Sequence, residues 1–223
     1  MGYGDDLLVT FFAAKIKKQF PNKQIVIGSK EKNEAYPSIV YDNNPNITDC
    51  SKIDFKKEVY LIDYHPENRP YIDYKKSTNK KYIWNKNFKP NPGELYFSEK
   101  ENLDAKNILE SAKKYWIDTN KNQKFESIIF IETSSTKLNH KNWSVKHINK
   151  SWGEKNWLKL IDRLKKKYLL IISSHEQSIK LEGAYIAQKM DFRIACATMN
   201  LCDLYVGPEG GFSHVAGALK KKS

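Results

Sequence analysis

The order of apolar and polar residues along the chain predicts an α/β protein. Short apolar runs bounded by polar turns predict strands at 24–28, 58–63, 127–132, 168–172 and 202–206. Apolar residues recur at helical spacing in 5–20, 102–116, 157–164, 192–199 and 212–219. Because strands and helices alternate, we expect parallel sheets with right-handed crossovers.

Other segments carry weaker signals. Residues 39–41, 82–84 and 95–97 predict short additional strands. Ser151 and Glu154 have the spacing of a capping box, so the third helix should begin there. A further helix is predicted from 174 toward Met190, with Gly183 as its weak point.

The length of 223 residues suits one large domain or two compact ones, and we favour two. The polar stretch 118–124 is the candidate linker, which divides the chain into domains 1–120 and 121–223. A parallel sheet would place a strand before the first helix and another after the last. We therefore expect a chain that lacks its first strand and its C-terminal elements.

Cysteine usage and hydropathy predict a cytoplasmic protein without a metal. The three cysteines are an odd number and lack metal-like spacing, which favours a reducing compartment and no zinc site. The longest purely aliphatic run, 169–172, is far too short to cross a bilayer. The acidic N-terminal segment does not resemble a secretory signal.

The formal charge of +12 is compatible with several anionic partners. Only three of the 38 basic residues are arginines, so 35 are lysines. Sequence-specific nucleic-acid binding depends on arginine for bidentate base contacts, which makes nucleic acid an unfavoured partner. A sugar nucleotide, RNA or an anionic membrane surface would all fit the charge, which does not choose among them.

The stretch 207–214 carries the strongest chemical signal. It is a glycine-rich turn between a predicted strand and a predicted helix, and it holds the polar residues Ser213 and His214. Glycines let a ligand approach the backbone, and the free N–H groups of a helix's first turn attract phosphate. The alternative is a strand-to-helix connection that binds nothing. Loops 2–6 and 133–143 also stand at predicted strand ends, so two facing sheets would bring all three loops across one cleft.

Three motifs, in order, resemble glycosyltransferase family 9, the heptosyltransferases of lipopolysaccharide synthesis and their relatives. They are Gly4-Asp5-Asp6-Leu7, Lys141-Asn142-Trp143-Ser144 and Glu209-Gly210-Gly211-Phe212-Ser213-His214. The resemblance implies a GT-B-like fold, in which two Rossmann-like domains with parallel sheets face each other across a cleft.

The resemblance also implies a reaction. An acceptor hydroxyl attacks the anomeric carbon of a nucleotide diphosphate sugar with inversion, and the nucleotide diphosphate leaves. Asp5 would be the general base, and Lys141 would neutralise the charge that develops on the diphosphate. Neither a metal nor a cofactor is then needed. The implied acceptor is a glycan or lipid-linked glycan, such as lipopolysaccharide core, with the enzyme cytoplasmic or peripheral at the inner membrane.

The residues that the resemblance assigns to the nucleotide sugar are Gly4, Ser134, Ser135, Lys141, Glu176, Glu209, Gly210, Gly211, Ser213 and His214. Two positions depart from the family pattern. Asp6 stands where an aliphatic residue is usual, so either Asp5 or Asp6 could be the base. Glu209 replaces an aspartate, which lengthens the side chain.

Two other functions fit parts of the sequence. Gly207-Pro208-Glu209-Gly210-Gly211-Phe212 is similar to a segment of the knotted ribosomal RNA methyltransferases that bind S-adenosylmethionine. That family should carry an N-terminal barrel, whereas residues 5–20 predict a helix. A nucleotide-binding module without catalysis is the third hypothesis.

Overall fold

In the computed structural model, the chain forms two compact units, residues 1–96 and 97–223. The structure describes residues 2–64, 69–78, 81–121, 123–133, 152–174, 181–188 and 190–223. No helix in these ranges is both long and apolar enough to span a bilayer.

Unit 1 packs one long helix on a small mixed sheet. Helix α1 spans Tyr3–Gln19, and the strands are β1 (Gln24–Ser29), β2 (Glu34–Ala35) and β3 (Val59–Asp63). The sheet order is β2-β1-β3, with β1 parallel to β3 and antiparallel to β2. The core contains Leu7, Val9 and Ala13 of the helix and the aliphatic run 25–27 of β1.

Unit 2 is built on a four-stranded parallel sheet. Its strands are β4 (Ile128–Ile131), β5 (Leu169–Ser174), β6 (Tyr185–Gln188) and β7 (Leu204–Val206), in the order β6-β5-β4-β7. Its helices are α2 (Glu99–Thr119), α3 (Glu154–Leu164), α4 (Phe192–Asn200) and α5 (Gly211–Ala218). The central strands β4 and β5 are continuous apolar runs because they are covered on both faces.

The division between the units falls after Tyr96, not at the predicted boundary after residue 120. Helix α2 belongs to unit 2 because it packs against α4. The contact includes an ion pair in which the Arg193 guanidinium binds both carboxylate oxygens of Glu101. Residues 118 and 119, in the predicted linker, are therefore the end of this packed helix, within unit 2.

Several weaker predictions were wrong. Residues 39–41 form a 3₁₀ turn capped by Ser38, and 82–84 and 95–97 contain no strand. The predicted helix toward Met190 is replaced by β6, which pairs in parallel with β5. Helix α3 begins after Gly153, which is its N-cap and whose φ of 82° is in the left-handed region. The predicted capping residue, Ser151, lies outside the described residues.

Candidate functional site

The glycine-rich loop 207–210 leaves the carboxyl end of β7 and leads into α5, as predicted. The Tyr205 hydroxyl donates a hydrogen bond of 3.3 Å to the Pro208 carbonyl and so folds its ring under the loop. A Cβ atom on Gly207 would lie 2.2 Å from that hydroxyl oxygen. The loop can take this path only because residue 207 has no side chain.

Ser213 holds the start of α5. Its hydroxyl accepts a hydrogen bond from the Gly210 N–H at 3.1 Å and donates one to the Gly210 carbonyl at 2.7 Å. The N–H groups of the first turn, from Gly211 to Ser213, have no acceptor within the helix. Together with the helix dipole, they form a positive patch at the end of the loop.

Aromatic packing anchors this helix start to the sheet. The Phe212 ring lies 5.8 Å from Phe130 of β4 and 5.2 Å from Phe192 of α4, measured between ring centroids. Because Phe212 is the second residue of α5, these contacts fix the position of its N–H groups. The loop is therefore built on a rigid part of unit 2.

Polar side chains are buried at the carboxyl edge of the sheet. Glu132 and Thr133 follow β4, the strand next to β7, and Ser173 lies near the end of β5, one strand further from the loop. The Glu132 N–H donates 3.0 Å to the Val206 carbonyl, which puts this position next to the start of the loop. The Thr133 hydroxyl is buried and has no hydrogen-bond partner in the described part of the chain. Sequence analysis did not name Glu132, although a carboxylate directly after a buried strand is a usable signal.

Glu209 in the loop and His214 in the first turn of α5 are both exposed. The His214 Nε2 lies 3.9 Å from a Glu209 carboxylate oxygen, which is a loose contact. Burial raises the pKa of Tyr205, and the negative charges of Glu132 and Glu209 raise it further. The buried Glu132 and the exposed Glu209 thus both place negative charge near Tyr205, while the N–H groups of α5 supply a positive end to the loop.

In unit 1, Asp5 lies in the first turn of α1, and Gly4 lies beside it in that helix. The Tyr71 hydroxyl donates to one carboxylate oxygen of Asp5. An Arg69 guanidinium nitrogen lies 3.6 Å from the other oxygen. These two partners fix the carboxylate, and 19% of the side chain stays exposed.

The neighbouring Asp6 is in a different environment. It is 8% exposed, and the Ser38 hydroxyl donates a 2.7 Å hydrogen bond to its Oδ2. Desolvation by burial raises the pKa of Asp6, and the Ser38 hydrogen bond opposes that rise. Of the two adjacent carboxylates, Asp5 is the one that an external hydroxyl group can reach.

Residues from the end of unit 1 hold α1 in place. The Thr10 hydroxyl donates 2.6 Å to the Leu7 carbonyl and accepts a 2.7 Å hydrogen bond from the Glu94 N–H. Gly93 packs so closely that a Cβ atom there would lie 2.2 Å from the Leu7 carbonyl oxygen. The helix that carries Asp5 is thus held by close contacts with the backbone of residues 93 and 94.

Four predicted site residues, Ser134, Ser135, Lys141 and Glu176, lie outside the described residues. Those that are described fall into two groups. Unit 1 holds Gly4 and Asp5, and unit 2 brings Glu209, Gly210, Gly211, Ser213 and His214 into one loop and helix start. Within the described ranges, no group of three histidine, cysteine or acidic residues is arranged to hold a metal ion.

Comparison with known proteins identifies the family. The model of glycosyltransferase family 9 (heptosyltransferase) matches residues 84–223. The chain belongs to glycosyltransferase family 9. No curated protein sequence matches this family 9 chain significantly.

The crystal structure of the glycosyl transferase family 9 from Veillonella parvula DSM 2008 is similar to this family 9 chain, with a TM-score of 0.60 and 13% sequence identity. The superposition covers 99% of this chain and 76% of that one. At this identity the likeness shows the fold, and it confirms the predicted α/β, GT-B-like class. The family match includes the segment 207–212, which had also suggested a methyltransferase, and it assigns that segment to a glycosyltransferase.

Proposed function

We propose that this family 9 glycosyltransferase transfers a sugar, with inversion, from a nucleotide diphosphate sugar to a glycan acceptor. The observation that carries the proposal is the loop 207–210 with the start of α5. It combines a close backbone approach, three N–H groups without intrahelical acceptors, and a buried, unpartnered Thr133 hydroxyl on the neighbouring strand end.

The diphosphate would bind at this helix start. The N–H groups of Gly211, Phe212 and Ser213 would donate to its oxygens, and the helix dipole would stabilise the charge that develops as the nucleotide leaves. A carboxylate repels phosphate but accepts hydrogen bonds from hydroxyl groups, so Glu209 suits the donor sugar or a ribose. The resemblance to the family supports the same assignment for Ser134, Ser135, Lys141, Glu176 and His214.

Asp5 would accept the proton of the attacking hydroxyl group. In the proposed step, the acceptor oxygen forms a bond to the anomeric carbon while the bond from that carbon to the phosphate oxygen breaks. The proton moves to the Asp5 carboxylate, and the bonding pair leaves with the nucleotide diphosphate. Tyr71 and Arg69 support this role because they hold the carboxylate in one orientation.

The finer assignment follows the family. Heptose is the proposed donor sugar and lipopolysaccharide core the proposed acceptor, at a cytoplasmic location. The charge of +12 would favour a peripheral contact with the anionic inner membrane. The mechanism needs no metal ion, because backbone N–H groups and Lys141 would balance the diphosphate charge.

Thermal-shift measurements test the donor class. We expect ADP, UDP or GDP to raise the melting temperature of the wild-type chain, because any ligand that binds only the folded state stabilises it. S-adenosylmethionine serves as the comparison ligand. Stabilisation by S-adenosylmethionine alone would overturn the proposal in favour of a methyltransferase.

The adjacent carboxylates give a matched test of the base. Asp5→Asn should lower the transfer rate by roughly 100- to 10,000-fold, the range for a lost general base, while nucleotide binding stays unchanged. Asp6→Asn should keep the transfer rate, because the Asp6 side chain is buried against Ser38. Rates and product configuration can both be followed by NMR. If Asp6→Asn abolishes transfer and Asp5→Asn does not, the assignment is reversed.

A further inference from the structure

An aromatic pair lies beside Asp5 in unit 1: the partly buried Tyr71 contacts the carboxylate, and the exposed Trp84 packs against Tyr71. Trp84 is 67% exposed, and its ring lies 5.6 Å from that of Tyr71, at an angle of 31°. The Tyr71 hydroxyl donates to the Asp5 carboxylate. An open aromatic surface thus leads directly to the proposed base.

Backbone hydrogen bonds hold the two rings together. The Asn85 N–H donates 2.9 Å to the Tyr71 carbonyl, and the Asp73 N–H donates 2.8 Å to the Ile83 carbonyl. The residues on either side of Trp84, Ile83 and Asn85, are thus both bonded to the segment that carries Tyr71. Tyr82, two residues before Trp84, is also exposed, at 64%.

We propose that Tyr71 and Trp84 form the binding surface for a pyranose ring of the acceptor glycan. This inference rests on the proposed function. The base must reach the proton of the attacking hydroxyl, so the ring that bears this hydroxyl has to lie beside Asp5. The aromatic pair borders that position and can form its wall. One face of a pyranose presents C–H groups, which pack against the electron-rich face of an aromatic ring, while its hydroxyl groups remain at the edge.

The charges around the pair select the kind of sugar. Arg69 lies beside Asp5, and the exposed lysines Lys81 and Lys86 flank the segment that carries Trp84. A glycan with carboxylate or phosphate substituents would meet these cations at its edge while its ring covers the aromatic surface. The surface therefore suits an acidic acceptor sugar better than a neutral one.

Kinetics on the full chain test the surface, with ADP-heptose as the donor and de-O-acylated lipopolysaccharide core oligosaccharide as the acceptor. Trp84→Ala should raise the KM for the acceptor roughly 3- to 10-fold, the range expected for a lost aromatic contact, and leave the KM for the donor unchanged. Trp84→Phe should restore most of the acceptor affinity. Phe55→Ala is the control, because Phe55 is 91% exposed in the same unit and has no ring contact among the described residues.

Saturation-transfer NMR with the same oligosaccharide tests binding without turnover. Wild-type protein should transfer saturation to the sugar ring protons, and Trp84→Ala should lose most of it while keeping the wild-type melting temperature. Equal saturation in the two proteins, or none in wild type, overturns the inference. Failure of the proposed function is distinguishable, because it would appear as absent transfer and absent nucleotide binding even if the glycan contacts Trp84.

Discussion

The ion pair between α2 and α4 should contribute strongly to the stability of unit 2, and Glu101→Gln tests this. The Arg193 guanidinium binds both carboxylate oxygens, and the backbone N–H and hydroxyl of Ser98 also donate to Glu101, at 2.7 and 2.9 Å. The Arg193 side chain is 6% exposed and that of Glu101 is 17% exposed. The substitution would leave the Arg193 charge buried against a neutral amide.

Two independent arguments give a similar magnitude. Removing one partner of a buried pair typically costs about 3 to 5 kcal/mol. The Arg193 hydrogen bonds, together with those from Ser98, lower the pKa of Glu101 from the ordinary value of 4.5 to about 2. At about 1.4 kcal/mol per pH unit, this corresponds to about 3 kcal/mol of folding free energy at neutral pH.

The sign of the pH dependence follows from the lowered pKa. The stabilisation is complete above the unfolded pKa of 4.5 and is lost as the pH falls toward 2. The difference in unfolding free energy between wild type and Glu101→Gln should therefore be about 3 kcal/mol at pH 7 and shrink by about 1 kcal/mol at pH 3.5.

Urea unfolding can measure this difference, followed by the fluorescence of Trp116 and Trp157, which are buried in unit 2. Glu110→Gln is the matched control, because Glu110 pairs with Lys113 at 2.7 Å on the same helix but is largely exposed. It should cost less than about 0.5 kcal/mol. If both variants unfold at the same urea concentration, or if the difference does not change with pH, the reasoning is refuted.

Two further predictions concern the site. Gly207→Ala should destabilise the protein by about 1 to 3 kcal/mol and weaken nucleotide binding, because its Cβ would meet the Tyr205 hydroxyl. Gly217→Ala should stabilise α5 by up to about 1 kcal/mol, because the space around residue 217 is open. Equal urea midpoints for Gly207→Ala and Gly217→Ala would contradict both predictions. Because desolvation raises the pKa of Asp6, ionising it disfavours folding, so Asp6→Asn should raise the melting temperature at pH 7. That gain should disappear below the ordinary pKa of 3.8, and a lower melting temperature at pH 7 would count against it.

Local sequence patterns were sufficient for the elements with a strong helical period or a continuous apolar run. Helix α1 lies close to its predicted position because its apolar residues recur at helical spacing, and β4 and β5 do so because each is a short continuous apolar run. Strand β6 was missed because its four residues carry no clear alternation, and only pairing with β5 makes them a strand. The boundary after Tyr96 was missed for a similar reason, since the partner of Glu101 lies 92 residues further along the chain.

The site was predictable in part. The glycine loop was found because its residues are contiguous, whereas the surroundings of each carboxylate depend on distant residues. Asp5 and Asp6 are neighbours in sequence, but their partners Tyr71 and Ser38 lie 66 and 32 residues away. Choosing between the two aspartates therefore required coordinates.

The contacts of Gly93 and Glu94 with α1 have a consequence for the order of events during translation. Helix α1 leaves the ribosome before residues 93 and 94 do, so its contacts through the Leu7 carbonyl and the Thr10 hydroxyl can form only after that segment has emerged. That segment ends just before the second unit begins at residue 97. The first unit can therefore complete its own set of contacts while the second is still being synthesised.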